Sequence, residues 1–309
     1  MQILVAVPSQ SLELFDDEGI LLRRYAVSTA RLGTGEETGS HRTPRGRHLI
    51  RAKIGAGRAE NTVFVGRRPT GETWTPQLAA AEPQRDWILT RILWLSGCQP
   101  GFNRLGRVDT MRRYIYLHGC PDTMPMGVPA SIGCVRMRNR DIVELFDLVP
   151  CYTPVRIVEF GLADGDWTAL GGEALAVRQA VFVAEQGVPP ELEHDALDAA
   201  ATHVVARDAA GRCIGTARLL DEGGGQGRIG RMAVLREWRG QGVGAALLGR
   251  LLERAQQGGL LQLRLSAQSH ATAFYRRYGF SAEGGEYLDA GITHRTMRRE
   301  LPPLSPQRN

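Results

Sequence analysis

Short alternating runs of apolar and polar residues, punctuated by Gly and Pro, fill the first half of the chain. A period of two predicts strands rather than helices. Strands are expected over 11–15 and 20–27, flanking Asp16-Asp17-Glu18-Gly19, a turn sequence suited to a hairpin. Residues 113–117 read as a further strand, with Ile115 and Leu117 on one face and Tyr114, Tyr116 and His118 on the other. A short helix over 139–148 and a strand over 154–159 complete this half.

From Asp166 the period lengthens. Helical spacing runs over 170–186, then strands are expected over 202–207 and 213–219. The loop Gly223-Gly224-Gly225 leads to a strand over 229–234 and a helix over about 242–257. Strands alternating with helices predict an α/β or α+β domain. Residues 161–166 read as the linker. A length of 309 residues suits two domains, placed at 1–158 and 159–309.

Composition narrows the classes. The chain is 43% hydrophobic and 23% charged, as a folded protein is. No apolar run approaches the roughly 18–20 residues of a membrane helix. The segment Met1-Gln2-Ile3-Leu4-Val5-Ala6-Val7-Pro8 has no basic leader, and Glu13, Asp16, Asp17 and Glu18 place charge where a signal peptide would still be apolar. A secretory signal is therefore not expected, and a cytoplasmic location is. The five cysteines are scattered without a CxxC pair, which argues against a disulfide framework or zinc site. The single lysine, Lys53, is preceded by Ala52, so no Walker A loop is present. Residues 1–158 carry 21 Arg or Lys against 15 Asp or Glu, and residues 159–309 carry 17 against 18. A basic first half suits a carboxylate-bearing partner. No basic helix or aromatic platform points to nucleic acid.

Two constellations carry chemistry. The first is Tyr114-Ile115-Tyr116-Leu117-His118-Gly119 with Ser131-Ile132-Gly133-Cys134-Val135-Arg136-Met137. A cysteine nucleophile reacts as thiolate, and a nearby imidazole can take its proton. Gly133 permits a tight turn before Cys134, where backbone N–H groups can hold an oxyanion. Arg136 can pair with a substrate carboxylate. This pattern, with Thr43-Pro44-Arg45-Gly46 and Pro125-Met126-Gly127-Val128-Pro129-Ala130, resembles the L,D-transpeptidase catalytic (YkuD) family over about residues 1–158. The resemblance implies a mainly-β sandwich or barrel that forms an acyl-enzyme with a peptidoglycan stem peptide and passes the acyl group to an amine or water. It implies Cys134 as nucleophile, His118 as base and the Gly119 carbonyl orienting the imidazole. Ser131, Gly133, Arg136 and Tyr116 would form the substrate pocket. Ile132 stands where the family usually has a second histidine. Cys120, directly after His118-Gly119 and outside the turn over 131–134, reads as structural.

The second constellation is Arg239-Gly240-Gln241-Gly242-Val243-Gly244-Ala245, after Met232-Ala233-Val234 and before a helix rich in leucine. A glycine turn at a helix N-terminus makes a cradle for pyrophosphate. The segment resembles the acetyl-CoA motif of GNAT N-acetyltransferases. Residues 166–301 resemble the ElaA-like branch, through Arg178-Gln179-Ala180-Val181-Phe182-Val183-Ala184-Glu185-Gln186, Ala267-Gln268, Phe274-Tyr275, Gly279-Phe280 and Gly291-Ile292-Thr293-His294. The resemblance implies an α+β GNAT fold with a central mixed sheet, acetyl-CoA as co-substrate and no metal. Met232, Ala233 and Val234 would pair with pantetheine, and Arg239, Gly240, Gln241, Gly242, Val243, Gly244 and Ala245 would hold the pyrophosphate. Tyr275 would protonate the departing thiolate. Glu185, Glu193, His194 and His203 are candidates for the base.

The expected function is thus bifunctional: a cysteine L,D-transpeptidase or L,D-carboxypeptidase acting on stem peptides or muropeptides, and an acetyl-CoA-dependent N-acetyltransferase acting on a small-molecule or peptide amine. The alternative is a non-catalytic muropeptide-binding or sensing domain that serves an active acetyltransferase.

Overall fold

Strand β1 (Gln2–Ala6) leads into the expected hairpin of β2 (Ser11–Phe15) and β3 (Leu21–Ala26). Its turn closes because Asp16 Oδ1 accepts from the N–H groups of Glu18 and Ile20 at 2.9 and 2.8 Å. Then come β4 (Gly46–Ile54), β5 (Thr62–Val65), β6 (Arg68–Thr73), α1 (Pro76–Ala81), β7 (Ile88–Gly97), β8 (Tyr116–Gly119), β9 (Val135–Met137), α2 (Asn139–Leu148) and β10 (Pro154–Val158). The computed structural model describes residues 1–302. They divide into two units, Met1–Phe15 with Leu22–Glu159, and Asp16–Leu21 with the chain from Phe160 on.

The first unit is one mixed sheet in the order β3-β2-β1-β10-β4-β7-β5-β6, with β8 on β7 and β9 on β8. Beyond β3, Ser28 bridges Arg136 of β9, so the path returns on itself in a barrel-like closure. The enclosed core holds Ile3, Val5, Leu12, Leu14, Leu93, Leu95, Leu117, Val135 and Met137, with Ile142, Leu145 and Phe146 from one face of α2. Each such side chain contributes roughly 1.5–3 kcal/mol when buried. Lys53 Nζ donates to Phe146 O and Val149 O at the end of α2, so the lone lysine is a helix cap.

One strand begins later than expected. Residues 110–114 form a turn and β8 opens at Tyr116, because Tyr114 adopts φ 58° and Arg113 donates to the Gly35, Glu36 and Arg42 carbonyls. Ile115 still faces the core, whereas Tyr114 is exposed.

The second unit comprises β11 (Phe160–Gly165), α3 (Trp167–Arg178), a π-helical segment (Gln179–Glu185), α4 (Pro190–Glu193), β12 (Thr202–Asp208), β13 (Cys213–Gly223), β14 (Gln226–Val234), α5 (Val243–Gln257), β15 (Gln262–Gln268), α6 (Thr272–Arg276), β16 (Ser281–Asp289) and β17 (Ile292–Glu300). The sheet order is β11-β12-β13-β14-β15-β17-β16, and β14 with β15 is its parallel pair. This is an α+β arrangement, one of the two classes the strand–helix pattern allows, with the central mixed sheet that the GNAT resemblance implies.

The expected linker over 161–166 is instead an edge strand. β11 pairs antiparallel with β12 from Phe160↔Asp208 to Gly165↔His203. Its glycines are tolerated because an edge has a neighbour on one side only, and buried Phe160 anchors it. Asp166 caps α3 by accepting from Ala169 N–H at 2.9 Å. The helix expected over 170–186 is continuous in course but changes winding after Arg178, whose side chain is fully buried. Such π segments are frequent at functional sites.

Candidate active sites

β8 and β9 pair in parallel, Leu117 with Val135 and His118 with Arg136. Alternation along each strand then places Tyr116, His118, Cys134 and Arg136 on one face. Gly133 precedes the cysteine at φ 136°, and a Cβ there would meet Ile115 Cδ1 at 3.2 Å. Ser131 Oγ donates to Cys134 O at 2.5 Å and accepts from Gly133 N–H at 3.2 Å, which fixes the turn. The thiol lies against backbone: Tyr116 N–H donates to Sγ at 3.3 Å, and Sγ donates to Tyr114 O at 3.4 Å.

The imidazole of His118 is buried. Its Nδ1 lies 2.8 Å from Gly119 O. A carbonyl only accepts, so Nδ1 carries the hydrogen and Nε2 presents its lone pair. Nε2 is buried with no hydrogen-bond partner among the described residues. Burial pushes the His118 pKa below its ordinary value, and Arg136 adds to the shift against Asp86 and the Gly119 carbonyl. Burial likewise pushes the Cys134 thiol up to about 12, against the Tyr116 N–H. Both shifts disfavour the charged forms, so at neutral pH the thiol keeps its proton and the imidazole is unprotonated.

Arg136, expected to reach a substrate carboxylate, is bonded instead to Asp86 at 2.6 Å and to Ala130 O at 3.2 Å. Asp86 has no signal in the sequence, since it stands 50 residues from its partner in a loop before β7. Ile132 is exposed at 44%. Cys120 is buried, its thiol raised to about 12 by burial and directed at Met137 O, consistent with a structural place.

In the second unit, β14 pairs with β15 only from Gln226↔Gln262 to Ile229↔Leu265, although β14 runs on to Val234 and β15 to Gln268. On its other side β14 carries a bulge between Gly230 and Ala233, where Arg231 adopts φ 53°. The strands therefore part, and residues 231–234 present an edge to which an extended amide-bearing ligand can add. Tyr275 Oη donates to the Met232 sulfur at 3.4 Å, at the start of that edge. Burial raises the Tyr275 hydroxyl to about 12, so it keeps its proton at neutral pH.

Gly242 caps the 15-residue helix α5 at φ 96°, and no acidic residue occupies its first turn. A Cβ at Gly240 would meet nothing within 4 Å, and at Gly244 only Phe274 Cζ and Val234 Cγ2 at 3.9 Å. An open glycine turn at the positive end of a helix fits a pyrophosphate. Arg239, expected at that pyrophosphate, is held by Val234 O and, through two bonds of 2.7 and 2.8 Å, by Glu185.

The four candidate bases separate into two groups. Glu185 is tied to Arg239, which lowers its pKa and makes it a poor proton acceptor. Glu193, His194 and His203 gather around Asp198. Buried Arg178 bonds Glu193 and Asp198, and Arg218 bonds Asp198 and Asp195. His203 Nε2 lies 2.9 Å from Asp198 O, and burial lowers its pKa. His194 is 3.8 Å from Asp198 and 5.2 Å from the Trp167 ring. Glu193 is thus bound as a structural ion, and His194 is the exposed member of the group.

One unit thus carries a cysteine–histidine face, and the other a splayed sheet with an open glycine turn at a helix start. The chain belongs to the L,D-transpeptidase catalytic domain family, matched over residues 1–157, and to the acetyltransferase (GNAT) domain family, matched over 168–301. Members of the second family use acetyl-CoA as acetyl donor. The second half is 36% identical over 129 residues to an uncharacterized N-acetyltransferase, YjcF, of Bacillus subtilis, covering 41% of this chain and 91% of that protein. It is 40% identical over 131 residues to a UPF0039 protein of Mycobacterium bovis, covering 41% and 82%. Similar solved structures include ElaA of Escherichia coli, at 28% identity and TM-score 0.42 over 46% of this chain and 99% of that one. An acyl-CoA N-acyltransferase of Pseudomonas aeruginosa is similar at 36% identity and TM-score 0.42, over 45% and 99%.

Proposed function

We propose that this chain carries two acyl-transfer activities, one in residues 1–158 and one in 159–309. In the first, Cys134 takes the acyl group of a peptidoglycan stem peptide. Its sulfur bonds to the peptide carbonyl carbon, its proton passes to His118 Nε2, and the C–N bond breaks as that proton goes to the departing amine. An amine or water then attacks the thioester and restores the thiol. The observation that carries this reading is the unpartnered Nε2 of His118 on the face that holds Cys134. The thiol at about 12 and the lowered imidazole make proton transfer uphill at rest, so it accompanies attack on the substrate.

In the second, the Met232–Val234 edge and the turn from Arg239 to Ala245 hold acetyl-CoA, which supplies a thioester carbon for an amine. Tyr275 gives a proton to the departing thiolate sulfur, a reading supported by its protonated hydroxyl and its bond to Met232. Positioning of the amine supplies much of the acceleration. The acceptor is a small-molecule or peptide amine. Because acetyl-CoA is a cytoplasmic metabolite, we place the chain in the cytoplasm, where recycled muropeptides meet it. Among the described residues no helix is long and apolar enough to cross a membrane.

Mass spectrometry of the protein incubated with muropeptides and acetyl-CoA, together and separately, tests both activities. An acyl adduct on Cys134 and an acetylated amine product are expected. Acetylated product without any cysteine adduct would favour a first domain that only binds muropeptides.

A further inference from the structure

We propose that Arg67 recognises a carboxylate on the acyl donor of Cys134, an assignment that rests on the cysteine reading above. The tight turn between β5 and β6 places Gly66 at φ 55° and Arg67 at φ 67°. Val65 pairs with Arg68, so Gly66 and Arg67 form the loop of a type I′ hairpin, which takes φ above zero at both positions. The turn aims the guanidinium at two aromatic rings, 4.5 Å from the centroid of Trp94 and 4.7 Å from that of Tyr114. Nη1 also donates to Tyr116 Oη at 3.2 Å.

These contacts tie the cation to the two tyrosines whose backbone groups bond the thiol: Tyr116 N–H donates to Sγ, and Sγ donates to Tyr114 O. Trp94, Tyr116 and Cys134 pack in one apolar cluster. The neighbouring arginines are committed elsewhere. Arg136 is bonded to Asp86, and Arg113 donates to the Gly35, Glu36 and Arg42 carbonyls and to Ser40 Oγ. Arg67 makes no ion pair among the described residues; its partners are the Tyr116 and Tyr114 side chains and the Trp94 ring. With Nη1 given to Tyr116 Oη, the guanidinium offers its remaining N–H groups to a carboxylate, a charge-assisted contact. The role expected of Arg136 thus falls to an arginine contributed by a hairpin far from the cysteine in sequence.

The test compares two tetrapeptide donors that differ only in one side-chain carboxylate, replaced by carboxamide in the second. Acylation of Cys134 in the full chain is monitored by intact-mass spectrometry for wild type, Arg67→Lys and Arg67→Gln. Wild type should favour the carboxylate donor by roughly tenfold or more, as a charge-assisted bond requires. Arg67→Gln should bring the ratio to within about twofold of unity. Arg67→Lys should fall between, since it keeps the charge and loses the fork. Adducts from both donors at equal rates in wild type, or an unchanged ratio in Arg67→Gln, would overturn the assignment and leave the cysteine reading intact. No adduct from either donor would overturn both.

Discussion

At Cys134 and His118 the chemistry is set by burial. Removing a thiol and an imidazole from water disfavours the charged form of each, so both rest neutral. In the proposed mechanism the base is neutral His118, whose pKa burial lowers from its ordinary 6.5. The rate of Cys134 acylation should therefore hold through neutral pH and fall only on the acid side of the usual histidine range. A stopped-flow pH profile checks this; a fall beginning above pH 7 would contradict it. His118→Ala should slow acylation by about 10²–10⁴-fold, the usual worth of a general base. Tyr275 invites a different measurement. Replacing it with Phe removes one hydroxyl, so acetyl-CoA affinity by calorimetry should persist while kcat falls more than KM changes. An unchanged kcat would leave Tyr275 as a packed aromatic that meets Phe274 and Phe280.

Among the elements, the parting of β14 from β15 and the turn into α5 belong together. Gly244→Ala should fold normally, because the added carbon meets only atoms at 3.9 Å. Any loss of acetyl-CoA affinity, read by calorimetry against an unchanged Tm, then reports the ligand's backbone approach; wild-type affinity in this variant and in Gly244→Val would contradict the cradle. Local signals make these elements readable: Gly242 before a leucine stripe marks the helix start, and Asp16 marks the first turn. The β11 strand reads as a linker because Gly161, Ala163 and Gly165 carry no strand propensity, and its pairing with β12 is settled 40 or so residues away. The late start of β8 has the same origin, since Arg113 is held by carbonyls of a distant loop. Asp86 and Arg67 are invisible in the sequence for that reason too: the thiol site gathers hairpins that sequence spacing does not connect.

In the molecule as a whole, each unit has its own sheet, and the second is braced by buried charge. Burial opposes ionisation of Asp198, yet Arg178 and Arg218 hold its carboxyl down to about 2. A depressed carboxylate contributes stability that is present above its unfolded value near 3.9 and is lost as pH falls through about 2. Acid unfolding of the second unit should therefore steepen between about pH 4 and 2. Asp198→Asn leaves Arg178 and Arg218 short of a buried partner and should cost about 3–5 kcal/mol in denaturant unfolding. It should also flatten that acid limb, and a variant as stable as wild type would contradict the network's role.

The central claim is that the first unit is an enzyme and not only a binder. The decisive measurement is peptide-mapped mass spectrometry of the protein after reaction with a stem-tetrapeptide donor, alongside Cys134→Ala and Cys120→Ala. The expected result is a mass increase on the peptide bearing Cys134 equal to the donor less its departing terminal amino acid. That adduct should persist in Cys120→Ala and vanish in Cys134→Ala. A wild-type protein that binds the donor yet gains no mass at Cys134, or an adduct that survives in Cys134→Ala, would contradict it.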